Sequence, residues 1–191
     1  MTTLGKYELH EQLGKGGFGT VHRAIDTTLG REVALKILHP QLMVDESFIQ
    51  RFIKEAHILA SLEHPNVVSI YELGEIDGRV FIAVKYLPGG NLQQMLQREG
   101  PLGYERASTI IKQICDGLQV AHERKLVHCD IKPANIVFDG KGNAVISDFG
   151  LSRAVQISGL SSGMGVAGTP EYRAPELWRE NPQVTPASDV Y

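Results

Sequence analysis

Cysteine, basic surplus and long apolar runs are all scarce in this chain, and each scarcity removes a class of answer. Two cysteines in 191 residues, Cys115 and Cys129, at unrelated spacing, supply neither a disulfide framework nor a zinc-ligand pattern. No apolar run approaches the ~18 residues that suggest a membrane span, and the opening MTTLGKYELH lacks the apolar core of a signal peptide. With 19 Lys and Arg against 22 Asp and Glu, nucleic acid is not expected as the main partner. A reducing cytoplasm is the default these absences leave. What is present is apolar material, 42% of residues, enough for a globular core rather than disorder. The length fits one domain or two small lobes.

The pattern divides the chain near residue 88. Before it, YELHEQLG and TVHRAI read as strands flanking a glycine cluster, and REVALKIL follows as a third. Its period of two puts Val33, Leu35 and Ile37 on one face and Ala34, Lys36 and Leu38 on the other. A helix is expected from about Ser47 to Leu62, then strands in VVSIYELG and RVFIAVKYL. PGGN at 88–91 reads as a hinge. Beyond it, Ala107, Ile110, Ile111, Ile114, Cys115, Leu118 and Ala121 recur at helical spacing, which predicts an amphipathic helix with Cys115 as a small buried hydrophobe on its stripe. Short strands follow around NIVF and NAVIS, and SGLSSGMGVAG at 158–168 has the bias of a mobile loop.

Gly14-x-Gly16-x-x-Gly19 alone is a weak signal. A Rossmann site needs a helix directly after the glycines, and TVHRAI reads as a strand instead; the Gly-Lys-Ser/Thr of a Walker loop is missing. What remains is a glycine-rich hairpin able to approach phosphates, with Phe18 at its tip, or a plain flexible hairpin. Phe52, Glu55, Leu59 and Leu62 share a helix face, so Glu55 is a carboxylate on an apolar stripe and costly to bury unpaired. Lys36, alone in an apolar strand, has the complementary problem. An ion pair between them answers both and leaves the ammonium available to a phosphate; a purely structural pair is the competing account.

HCDIKPAN at 128–135 gathers an imidazole, a carboxylate, an ammonium and an amide within one short stretch. Asp130 can accept a proton from an incoming hydroxyl, and Lys132 can neutralise charge on a moving phosphoryl group. Asn135 and Asp148, the latter in SDFG, can offer hard oxygens to a metal ion. Singly, each has a duller reading as a turn cap or strand end.

Together these motifs resemble the eukaryotic-like (Hanks-type) protein kinases, especially the bacterial serine/threonine branch, over essentially the whole chain. The resemblance implies an α+β, two-lobed fold: an N-terminal antiparallel sheet with one helix (1–87), a hinge region (88–91), and a mostly helical, incomplete C-terminal lobe (92–191). It implies an ATP site at Leu13, Gly14, Lys15, Gly16, Gly17, Phe18, Gly19, Thr20 and Val21, with Ala34, Lys36, Glu55, Lys85, Leu87 and Val137. Lys36 would pair with Glu55, Val84 would be the gatekeeper, and Lys85 carbonyl and Leu87 N–H would bond the adenine. Asp130, Lys132 and Asn135 would be catalytic, Asp130 as base; Asn135 and Asp148 would hold Mg2+. GTPEYRAPE at 168–176 matches the end of the activation segment, with the Thr169 hydroxyl bonding the catalytic loop. Leu59, Ile70, His128 and Phe149 match the apolar column joining the lobes. The implied activity is transfer of the ATP γ-phosphoryl group to a Ser or Thr of a protein substrate; the rival is a nucleotide-binding but inactive fragment serving as an interaction module.

Two positions depart from the family pattern. Cys129 stands where many members have an arginine that pairs with a phosphorylated activation segment, so Ser158, Ser161 and Ser162 would find no partner there, the mark of a non-RD kinase. TPASDVY is expected to start the buried helix of the C-terminal lobe, with Thr185 as N-cap and Pro186 in the first turn. The chain stops at Tyr191, and a loosened C-terminal lobe is expected. Asp189 matches the anchor of the catalytic-loop backbone, and Glu176 a glutamate whose arginine partner lies beyond this chain.

Overall fold

A computed structural model describes residues 2–44, 46–149, 170–179 and 183–191. The expectations for Ser158, Ser161, Ser162 and Thr169 lie outside these residues.

Alternating burial builds the N-terminal lobe. Its strands are β1 (Thr2–Leu4), β2 (Tyr7–Gly16), β3 (Gly19–Asp26), β4 (Arg31–Leu38), β5 (Ile70–Ile76) and β6 (Arg79–Lys85). They form one antiparallel sheet in the order β1-β2-β3-β4-β6-β5. The period of two in β4 holds: Val33 and Leu35 are fully buried with Tyr7 and Phe81, and Ile37 packs against them. Lys36 is left on the opposite face. After a 3-10 turn at Pro40–Val44 comes α1 (Glu46–Ala60), close to the expected span. Phe52 joins the cluster of Leu38, Leu42 and Val80, and Leu59 joins the larger core below. One helix is thus fastened to both lobes.

The C-terminal lobe comprises α2 (Leu92–Glu99), α3 (Tyr104–Glu123), the hairpin β7 (Ile136–Phe138) and β8 (Ala144–Ile146), and a short α4 (Ala187–Val190). Asn91 starts α2 with reciprocal 2.9 Å bonds between its side chain and backbone and those of Gln94, a capping box that satisfies helix-end N–H groups. Gly89 is needed at the crossing: a Cβ there would meet Phe138 Cβ and O at 2.7 Å.

Three local expectations are corrected. The strand expected from Val67 starts at Ile70, because the backbone of 66–68 is used elsewhere. Val68 N–H donates to Ile146 O at 3.0 Å and Ile146 N–H to Asn66 O at 2.8 Å, fastening β8 to the upper lobe. Cys115 is exposed and Ile111 is 60% exposed, since α3 packs through Ile110, Gly117, Leu118 and Ala121 instead. At the last helix Pro186 is the N-cap, with no side-chain cap bond from Thr185. Ser188 supplies the local contacts, its Oγ accepting from Thr185 N–H at 3.4 Å and donating to Glu176 Oε1 at 2.7 Å.

Candidate active site

The β2–β3 hairpin turns at Gly17 and Phe18 and roofs a cavity of about 740 Å3 between the lobes. Gly19 is required beneath the turn, because a Cβ there would sit 2.0 Å from Ile37 O. Of the residues expected at the nucleotide, Leu13, Gly14, Lys15, Gly16, Gly17, Phe18, Gly19, Val21, Ala34, Lys36, Lys85, Leu87 and Val137 line this cavity. So do Asp130, Lys132, Asn135, Asp148 and Val84. Val68, Leu87 and Val145 form a buried cluster with Val84 and Val137 against it, giving the cavity an apolar slot.

Thr20 and Glu55 do not line it. Thr20 lies between two cavity-facing positions, and the strand period turns its side chain the other way. Glu55 is half-buried on α1, but the expected Lys36–Glu55 pair is not the one formed. Lys36 Nζ bonds Asp148 Oδ1 at 2.6 Å. Asp148 follows β8 in the left-handed conformation, φ 62°, which brings its carboxylate to the ammonium. Burial would raise this carboxyl's pKa, but the charge and hydrogen bond of Lys36 outweigh it and hold it below the usual carboxylate range.

The side chains of Asp130, Lys132 and Asn135 meet, as their spacing implies. Asp130 is buried; its Oδ2 lies 2.7 Å from Lys132 Nζ and accepts from Asn135 Nδ2 at 3.0 Å. Asn135 Nδ2 also donates to Asp130 O at 2.8 Å, closing the loop on itself. His128 is fully buried. Its Nδ1 accepts from Asp130 N–H at 3.2 Å, so Nε2 carries the proton and donates to Ser147 O at 2.8 Å. Its ring lies 4.6 Å from that of Phe149, and Phe149 belongs to the same core cluster as Leu59, against which Ile70 packs.

Asp189 holds this loop from below. Its carboxylate accepts from His128 N–H at 2.8 Å and Cys129 N–H at 2.7 Å, and lies 2.7 Å from His122 Nε2. Cys129 itself is in the left-handed conformation, φ 65°, strained for a residue with a Cβ and held there by these bonds. Its side chain packs with Val127, Ala174 and Leu177. That packing delivers the residue sequence reading passed over, Arg173. Its guanidinium lies 4.9 Å from the Trp178 ring centroid. Burial pulls its pKa down, and the nearby Cys129 and Asp130 oppose that shift. Nothing local in EYRAPE signals this; only the packing of 174 and 177 on the loop does.

Residues 7–191 match the model of the protein kinase domain. The chain belongs to the protein kinase family. PrkC of Bacillus subtilis, a serine/threonine-protein kinase, is 40% identical over 187 residues, 98% of this chain. PknB of Mycobacterium tuberculosis, named likewise, is 38% identical over 192 residues, 97% of this chain. This kinase chain spans 29% and 30% of the lengths of those two proteins. The solved kinase domain of Mycobacterium tuberculosis PknI superposes with a TM-score of 0.77 at 28% identity, covering 98% of this chain and 70% of that one.

The protein kinase family takes ATP, as a rule with a divalent cation. The donor set here fits a hard cation: Asp148 has a carboxylate, and Asn135, whose Nδ2 serves Asp130, has an amide oxygen. Among the described residues no group of three or more His, Cys, Asp or Glu could hold a metal by itself. Two protein oxygens completed by phosphate oxygens and water is the arrangement Mg2+ prefers. Among the described residues, no helix is long and apolar enough to cross a membrane.

Proposed function

We propose that this chain is a serine/threonine-protein kinase domain, transferring the γ-phosphoryl group of ATP to a Ser or Thr hydroxyl of a protein. One observation carries the reading: the buried Asp130 carboxylate, bonded to Lys132 and Asn135, opens on the same cavity as the glycine turn and Lys36. Asp130 accepts the proton of the acceptor hydroxyl as that oxygen attacks phosphorus. Lys132 neutralises charge on the transferred group, and Lys36 turns from Asp148 to the nucleotide phosphates. Asn135 and Asp148 hold Mg2+, which when bound offsets phosphate charge. The adenine lies in the slot of Val21, Ala34, Val84 and Val137, bonded by the backbone of Lys85 and Leu87. Residues 1–87 and 92–191 act as the two lobes about a hinge at 88–91. The compartment is the cytoplasm, where ATP is available and the free thiols of Cys115 and Cys129 stay reduced.

Incubation of the purified chain with labelled ATP, Mg2+ and a Ser/Thr-rich protein tests this. Label should enter phosphoserine or phosphothreonine, and chelation or Asp130→Asn should abolish it. ATP binding without any transfer to protein would overturn the reading.

A further inference from the structure

We propose that His39 is a positioning residue for the glycine turn, orienting the Gly16–Gly17 peptide toward the nucleotide phosphates; this rests on the ATP reading above. His39 directly follows β4 and bonds the turn twice. Its backbone N–H donates to Phe18 O at 3.0 Å, and its ring Nε2 lies 3.1 Å from Gly16 O. A carbonyl oxygen only accepts, so Nε2 carries the proton.

Beyond the strand pairing that closes it at Gly16 and Gly19, the turn has few other means of holding its shape. Around Gly14, Gly16 and Gly17, the space a Cβ would enter holds no atom within 4 Å. A run of glycines without side-chain packing loses more conformational entropy on ordering than any other sequence. Phe18 contributes packing at the tip, against the cluster of Leu38, Leu42, Phe52 and Val80. The Gly16 carbonyl is fixed by His39. In a planar trans peptide C=O and N–H point in opposite directions. Holding Gly16 C=O toward His39 therefore turns Gly17 N–H away from it. Gly17 lines the cavity and His39 does not. The ring thus acts through the loop backbone, without touching the nucleotide, and presents an amide where backbone N–H groups bind phosphate oxygens.

His39→Ala removes the ring bond and leaves the backbone bond in place; His39→Gln keeps a side-chain N–H donor. Amide exchange across residues 14–20 is measured without nucleotide, alongside ATP affinity, KM, kcat and melting temperature. In His39→Ala we expect exchange at the turn to quicken, and KM for ATP to rise, by about three- to tenfold, the range one hydrogen bond supports, with kcat within about twofold. His39→Gln should recover most of both. Unchanged turn exchange in His39→Ala would overturn the proposal. So would a Gln variant as impaired as Ala at unchanged melting temperature, or a loss confined to kcat. Failure of the wild-type chain to bind ATP would instead remove the kinase reading, and the nucleotide-free exchange would still show whether the ring orders the turn.

Discussion

Asp130 is the residue at which binding and chemistry should separate. In the proposed mechanism its carboxylate serves the acceptor hydroxyl whereas Lys36 serves the phosphates, so the two charges have different tasks. Asp130→Asn is expected to lower kcat by roughly 10²- to 10⁴-fold, the usual worth of a general base, with ATP affinity within about twofold. Lys36→Met should remove nearly all turnover and weaken ATP binding as well. Steady-state kinetics with a parallel binding isotherm distinguishes them; wild-type kcat in Asp130→Asn would mean another group takes the proton. Asp189 acts a step further back. It receives the N–H groups of His128 and Cys129 in a buried site, and removing a partner from a buried donor costs about 1–3 kcal/mol each. Asp189→Ala should therefore lower the melting temperature and, by releasing the strained Cys129 backbone, reduce kcat too. A stable variant with normal turnover would show that the loop holds itself.

Between elements, the contact of α3 with β8 sets one propensity against packing. Replacing a mid-helix glycine by alanine ordinarily gains about 1 kcal/mol. At Gly117 the added Cβ would lie 2.8 Å from Asn66 O and 3.1 Å from Ile146 Cδ1. The first of these is a carbonyl already bonded to Ile146 N–H, so it cannot yield without loosening β8. Overpacking costs about 1–3 kcal/mol and wins. Gly117→Ala should destabilise the domain, read as a lower urea midpoint; a higher midpoint would mean the helix shifts freely. In the upper lobe, Tyr7 joins β2 to β5 through its hydroxyl, which donates to Glu72 Oε2 at 2.8 Å. Burial first, and then this bond, push its pKa well above the ordinary tyrosine value of 10. A raised folded pKa gives stability that is complete below the unfolded value of ~10 and lost as pH climbs through the folded one. Denaturant midpoints should thus fall as pH rises above about 10, and Tyr7→Phe should flatten that slope. Lys6, raised chiefly by its own bond to Glu72, keeps the slope from vanishing.

For the molecule as a whole, Lys36–Asp148 is an ion pair from one lobe to the other, formed by two groups that the proposed nucleotide and cation sites both use. Asp148→Asn has opposite effects on the two. It frees Lys36, so ATP without metal should bind as well as in wild type or up to about fivefold better, the range of a partly exposed pair. It also removes the charged oxygen for the cation, so Mg2+-dependent turnover should fall by at least about a hundredfold. Titration calorimetry with and without Mg2+, beside turnover, reads both. A variant that loses metal-free ATP binding would show that the pair holds the cleft in shape rather than competing for it.

Much of this was legible in the chain itself, and the part that was not has one cause. The strand period in EVALKIL put Lys36 on the face opposite Val33 and Leu35, because adjacent side chains in a strand must alternate. The Asp130, Lys132 and Asn135 cluster was readable because its members meet within one short loop. Local geometry carries such relations. What the tertiary structure decided is which distant group each side chain meets. Glu55 was the nearer candidate for Lys36 by pattern, yet Asp148, 112 positions away, is the carboxylate that β8 delivers. Cys115 shares a helical stripe with Ile114 and Leu118, yet it is exposed, because α3 packs through Ile110, Gly117, Leu118 and Ala121. Arg173 reaches the catalytic loop because Ala174 and Leu177 pack on Cys129, and His39 reaches Gly16 because β4 ends beneath the hairpin. Periodicity is a property of neighbours along the chain, whereas an ammonium, a guanidinium or an imidazole takes whichever partner the packing of separate elements brings within hydrogen-bonding reach.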